Sequence, residues 1–429
     1  MKSKLRKSTI PFIDMKKPLL FALFLCWFGL SAFAQQYHMI IRTSKGVVSY
    51  PVDEVIDVQI AADDTPGTVL CYTIEAEDTT LNAVRMRVNY RSLSGDSKGQ
   101  QTVSGFVSYP LYSKPGGILL DNHYTMTQDI TTPSIRMNTD VSEAMAGVVA
   151  SMYAVVAPDY VGYGVTRDQP HPYLCQRQNA INSIDLALVA RDIFTSRGIE
   201  FTSDALVNAG YSQGGGIALA VHREMELDPA LAEQLHFRHT FCGGGPYDTV
   251  GTMEWMLGEA ADKLELPVLL PLIVRGLLYG MPDYFHGRTF ADFFRPEIVE
   301  AGVEDWIEGH EMSTTDISNA MRDLMGGSHN VADYFSPEVL DETSPIRREL
   351  EAAIEACTVL DGWKATLPIT LYHLQNDGVV PVLNYHRAIE SLGLDANKQT
   401  LSTSTTDSHF SYGTQFYLAL VFSMANLVR

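Results

Sequence analysis

The chain has 429 residues, 46% of them hydrophobic and 19% charged, with a formal charge of −20. That composition excludes a largely disordered chain. The excess of acid excludes a nucleic-acid-binding surface and strong adsorption to anionic lipid.

Taken from the N-terminus, residues 1–34 read as an export signal peptide. Lys16 and Lys17 precede the apolar run PLLFALFLCWFGL, and Ala32-Phe33-Ala34 supplies the small residues of a cleavage site. The run is too short for a transmembrane helix, so no stable membrane span is expected. Leu25 stands before Cys26 where lipid attachment requires a small residue. The expectation is an exported protein: periplasmic, at the cell surface or secreted. Loss of the leader leaves 25 basic against 50 acidic residues. It also leaves Cys71, Cys175, Cys242 and Cys357, which are widely spaced and form no CxxC, so no zinc site is expected. Export permits disulfides, and sequence leaves bridges and buried thiols equally open.

Residues 35–68 read as a short β-segment with two strands around Lys45-Gly46, followed by a linker at DDTPG. A main domain follows over 69–429. It opens with the strand-like runs TVLCYTIEA, AVRMRVNYRS and QQTVSGFVSYP; Val84, Met86, Val88 and Tyr90 keep a period of two. From Ile118 strands alternate with helices: ILLDN, then YAVVAP, then the helical NAINSIDLALVARDIF, then ALVNAG, then the helical GGGIALAVHREMEL. Such alternation predicts a mostly parallel sheet with helices on both faces. Between about 246 and 348 the strand signal disappears, and helical runs such as TMEWMLGEAADKL and LPVLLPLIVRGLLYG predict a helical insertion. LPITLYHLQ returns as a strand, VLNYHRAIESLG as a helix, KQTLSTS as a last strand and TQFYLALVFSMANLV as a closing helix.

Two segments fit Gly-x-Ser-x-Gly. One, around Ser97 in SLSGDSKGQQT, is a polar stretch between two strands and reads as a hairpin loop with no base at hand. The other, around Ser212 in NAGYSQGGG, follows a buried strand and opens a helix. That turn holds a serine out at the carboxyl edge of the sheet, and the next backbone N–H, of Gln213, can receive developing negative charge. Serine needs a base to take its proton, and in such a fold the partners follow in the order acid, then histidine. Asp377 lies just past a late strand, in NDGVVP; Asp361 lies before that strand, at the wrong edge. His409, in DSHFSYG, lies after the last strand in a loop before the closing helix. A second oxyanion donor is sought at the end of ILLDN and in the loop after it, where Asn122, His123, Tyr124 and Thr125 are all open to choice.

These segments together resemble the secretory lipase family of the α/β-hydrolase fold, from about Arg85 to the C-terminus. VNYRSLSGDSKGQQTVSGFVSYP is similar to its opening hairpin, VVAPDYVGYG to a strand and Asp–Gly turn, NAGYSQGGG to its serine elbow, CGGGPYD to the approach to its lid, and LYHLQNDGVVP and DSHFSYG to its acid and histidine loops. The resemblance implies Ser212, Asp377 and His409 as a catalytic triad. It implies Thr125 as the second oxyanion donor beside Gln213, because HYT stands where the family has His-Gly-Thr. This chain departs there, with Tyr124 for the glycine; Thr131 or Thr132 stands near the place of a family cysteine, and Leu374 replaces a glycine of the acid loop. The helical insertion would be a lid whose Leu269, Leu270, Leu272, Ile273, Leu277 and Leu278 either meet an acyl chain or pack inward.

The expectation is an exported serine hydrolase that cleaves small-molecule or lipid carboxylic esters through an acyl-enzyme, without cofactor or metal. A serine peptidase on the same fold and a non-catalytic binding protein with a hydrolase shell are the alternatives. Sequence is silent on oligomeric state.

Overall fold

The computed structural model describes residues 72–139, 149 and 151–427, with the backbones of two further strands at His38–Thr43 and Gly46–Pro51. The expected signal peptide, the DDTPG linker, Cys26 and Cys71 lie outside the described residues. The chain divides into two compact units, residues 1–71 and 72–429. In the first, β1 (His38–Thr43) and β2 (Gly46–Pro51) form an antiparallel ladder from His38↔Pro51 to Thr43↔Gly46.

The second unit is built on a nine-stranded sheet of order β11-β10-β9-β8-β6-β7-β5-β4-β3. One edge is an antiparallel meander of β3 (Tyr72–Asp78), β4 (Ala83–Leu93) and β5 (Gln100–Pro110), whose alternating residues give the period of two seen in the sequence. The other six strands are mutually parallel: β6 (Ile118–Asn122), β7 (Ala154–Pro158), β8 (Leu206–Tyr211), β9 (Phe237–Gly243), β10 (Ile369–Leu374) and β11 (Thr400–Ser402). The expected mostly parallel sheet is present. β9 was not anticipated, because Arg238 and His239 break the apolar run that marks a buried strand; only Thr240–Gly243 is fully buried.

β8 shows why this sequence must sit at the centre. All six of its residues are buried, so its alternating side chains go to two cores. Val207, Ala209 and Tyr211 pack with Phe416 and Leu420 of the C-terminal helix. On the opposite side the Asn208 amide donates to the Ala218 carbonyl at 2.8 Å, in the helix that follows the Ser212 turn.

The long helices are α1 (Gln176–Ser196), α2 (Gln213–Leu227), α3 (Thr249–Leu257), α4 (Leu269–Gly280), α5 (Thr314–Leu324), α6 (Pro345–Glu355), α7 (Leu383–Leu392) and α8 (His409–Leu427). α3 to α6 lie between β9 and β10 and share an apolar core that includes Leu270, Leu277, Phe293, Ile317 and Leu350. Two expectations need correction. The run TMEWMLGEAADKL is not one helix: α3 stops at Leu257, before Gly258, and turns follow. The closing helix begins at His409 itself rather than after a histidine loop. Cys175, Cys242 and Cys357 are buried free thiols. Among the described residues no helix is long and apolar enough to cross a membrane.

Candidate active site

The carboxyl ends of β8 and β10 and the start of α8 deliver one residue each to a common point. Ser212 sits between β8 and α2 with φ 56° and ψ −122°, a conformation uncommon outside glycine. The surrounding chain enforces it by backbone contact. A Cβ on Gly210 would lie 2.1 Å from the Gly214 carbonyl oxygen, and one on Gly214 would lie 1.9 Å from that of Asn122. Glycine at these two positions is therefore a condition of the turn.

His409 Nε2 lies 2.8 Å from Ser212 Oγ, and its Nδ1 lies 2.7 Å from Asp377 Oδ2. The second Asp377 oxygen accepts the backbone N–H groups of Val379 and Val380, each at 2.9 Å. Burial pushes the Asp377 carboxyl pKa up, but the opposing charge and hydrogen bond of His409, helped by the Val380 amide, hold it below the usual carboxylate value. In the neutral imidazole, an ionised Asp377 holds the proton on His409 Nδ1 and leaves Nε2 as the acceptor toward the serine. His409 and Asp377 are buried, while Ser212 is half-buried and open to a cavity.

That cavity has a volume of about 400 Å³ and includes Thr125, Ser212, Gln213 and His409 in its wall. Gln213 heads α2, where the first amides of a helix have no carbonyl one turn behind them. The rest of the wall is mainly apolar and includes α4. Of the six aliphatic residues singled out there, Leu269, Leu270 and Ile273 line the cavity; Leu272 and Leu277 are buried in the helical core, with Leu278 packed against it. Among the described residues no cluster of three or more His, Cys, Asp or Glu side chains is arranged to hold a metal.

Thus Ser212, Asp377, His409, Gln213 and Thr125 are brought together, and Ser97 is not. Ser97 is exposed in the β4–β5 turn, its N–H bonded to the Ser94 carbonyl at 3.0 Å. Asp361 is exposed before β10. Sequence reasoning missed Tyr211, whose hydroxyl donates to the His409 carbonyl at 2.6 Å and whose ring lies 5.0 Å from the imidazole. It also passed over His171 and Tyr173. The imidazole Nε2 of His171 lies 2.6 Å from Gln213 Nε2, and the Tyr173 hydroxyl lies 2.7 Å from Thr125 Oγ1. No periodic or motif signal marks these residues.

Comparison with solved structures finds this fold repeatedly. A candidate hydrolase from Legionella pneumophila aligns at 20% identity and TM-score 0.68, covering 84% of this chain and 98% of its own. A ligand-bound form of the rice cell wall degrading esterase LipA from Xanthomonas oryzae aligns at 21% identity and TM-score 0.62, covering 84% and 96%. Candida antarctica lipase A in its closed state aligns at 15% and 0.55, covering 82% of each chain. At such identities the likeness is one of fold, and the fold is that of the α/β-hydrolases. A comparison with curated protein sequences returns no match. The chain does match the sequence profile of the secretory lipases over residues 126–414, a span that takes in Ser212, Asp377 and His409. With more than half of its length inside that match, it belongs to the secretory lipase family.

Proposed function

We propose that this chain is an exported serine hydrolase of carboxylic esters, with Ser212 as nucleophile, His409 as base and Asp377 as the residue that orients and balances the imidazole. The observation that carries the reading is the continuous hydrogen-bond path from Asp377 through His409 to Ser212 at the wall of an apolar cavity. His409 takes the Ser212 proton as the oxygen attacks the ester carbonyl. The Gln213 N–H and Thr125 stabilise the oxyanion. The imidazolium then protonates the departing alcohol, leaving an acyl-enzyme, and water activated by the same imidazole releases the acid. Family membership supports an ester as substrate, and the lipase and esterase names of two structural neighbours agree with it. The apolar wall favours an acyl chain over a charged group. The helical segment between β9 and β10 is read as a lid because α4 contributes to that wall. Export rests on the leader-like residues 1–34 and on the secretory character of the family.

A panel of nitrophenyl esters and aminoacyl nitroanilides tests the reading. The expected result is turnover of short and medium acyl esters with labelling of Ser212 by a fluorophosphonate. Cleavage of anilides alone would make the protein a peptidase. Absence of both turnover and labelling would make it a binding protein.

A further inference from the structure

His171, Pro172 and Tyr173 lie in the connection between β7 and α1, remote in sequence from all five site residues. The segment is held firmly. The Pro172 carbonyl accepts the Cys175 N–H at 3.2 Å and the Asn179 amide at 3.1 Å. On one side its backbone abuts Gly162, where a Cβ would lie 2.5 Å from His171 N and Cα. On the other it abuts Gly276 of α4, where a Cβ would lie 2.3 Å from Tyr173 N. Two glycines therefore let neighbouring chain close on it from both directions.

The His171 ring is fully determined. Nδ1 lies 2.7 Å from the Val161 carbonyl oxygen, which can only accept, so Nδ1 carries the proton. Nε2 is then an acceptor, and the Gln213 side-chain amide at 2.6 Å is its donor. Tyr160 stacks near the ring at 5.9 Å and Tyr163 tilts against it at 5.0 Å. Burial among these groups lowers its pKa to about 3, so the ring stays neutral and keeps this tautomer. Tyr173, two residues on, meets the Thr125 hydroxyl at 2.7 Å. When Tyr173 donates, the Thr125 hydroxyl hydrogen is freed toward the cavity that both residues line.

We propose that His171 and Tyr173 are positioning residues that fix both arms of the oxyanion site from one rigid tripeptide, His171 through the Gln213 side chain and Tyr173 through the Thr125 hydroxyl. The inference rests on the proposed ester hydrolysis at Ser212. Oxyanion donors act through placement before the charge develops, so loosening them raises the barrier more than it weakens substrate binding.

The test is steady-state kinetics on 4-nitrophenyl butyrate, with thermal unfolding and the rate of Ser212 fluorophosphonate labelling measured alongside. His171→Leu and Tyr173→Phe are each expected to lower kcat by about 10- to 100-fold while KM stays within about threefold. His171→Gln, which keeps an acceptor, should recover most of that loss. Tyr173→Phe should cost nothing further in a Thr125→Val background, because its effect passes through that hydroxyl. Unchanged kcat in both folded variants, a loss confined to KM, or full multiplication of the Thr125 and Tyr173 effects would overturn the proposal. If His171→Leu does not fold, Gln213→Leu, which removes the side-chain partner of the same hydrogen bond, replaces it, and an unchanged kcat there overturns the His171 arm; Tyr173→Phe, alone and with Thr125→Val, decides the other. A wild-type protein that turns over no ester and takes no label would instead overturn the function itself, and this inference with it.

Discussion

The molecule contains the pattern Gly-x-Ser-x-Gly twice, and beyond those three residues and one torsion angle the two copies have different surroundings. Ser97 and Ser212 both have a left-handed φ, 58° and 56°. Around Ser97 the tip of the hairpin, residues 97–100, is exposed; Gly95 is buried under the flexible Tyr279 side chain, and a Cβ on Gly99 would meet only Ser94 Oγ, at 3.9 Å. Around Ser212 the second glycine is pressed against the Asn122 backbone, and an imidazole stands 2.8 Å from the hydroxyl. A local turn that presents a serine is thus common to both sites. What separates them is the sheet, which stacks β6, β8 and β10 so that their ends supply partners from far along the chain.

The sharpest way to break this comparison is to remove each hydroxyl. Ser212→Ala should lower ester turnover by about 10⁴-fold or more, while Ser97→Ala stays within about twofold of wild type. Loss of activity in a folded Ser97→Ala protein would reverse the assignment. Asp377→Asn should cost on the order of 10⁴ in kcat, because an amide at that place favours the wrong imidazole tautomer.

The glycines supply a second contrast, read by chemical denaturation. Gly214→Ala should destabilise by more than about 2 kcal/mol, since a methyl group there meets backbone that cannot yield, whereas Gly99→Ala should stay within about 0.5 kcal/mol. Equal effects would mean that the two turns are under similar constraint.

A smaller effect concerns acid. The folded pKa of Asp377 lies below its unfolded value, so its ionised form adds stability above about pH 3.9, and that contribution is lost as pH falls through the folded value. Denaturant midpoints between pH 7 and 3 should therefore drop more steeply for wild type than for Asp377→Asn; parallel curves would contradict this. The smallest expected change is from Tyr211→Phe. It removes one hydrogen bond to the His409 carbonyl and should cost about 1 kcal/mol in stability with a several-fold loss in kcat.

The residues that sequence made legible are those whose chemistry is local. A buried strand, glycine at two tight positions and an oncoming helix are all visible around Ser212; the Gly210 constraint is local, set by the Gly214 carbonyl, whereas that on Gly214 comes from the Asn122 backbone far along the chain. The parallel sheet is legible because β6, β7 and β8 are buried on both faces and need largely apolar runs, while β10 alternates buried and partly buried residues in a short β-rich run. β9 was obscured because half of it faces partial solvent and carries Arg238 and His239. The start of α8 was obscured because DSHFSYG has loop-like composition, although its first turn is closed locally by the Tyr412 N–H on the Ser408 carbonyl at 3.0 Å and the Ser408 N–H on Ser411 Oγ at 2.9 Å.

Sequence by itself therefore determined the kinds of group present and their order along the chain, since the burial pattern of a strand and the run of a helix are written in short range. Tertiary structure alone decided which apolar residues of α4 face the cavity, and that His171 and Tyr173 reach Gln213 and Thr125. Those are contacts across 42 and 48 residues of chain. Hydrogen bonds of that kind leave no periodic trace, because they depend on where whole elements come to rest rather than on how any one of them forms.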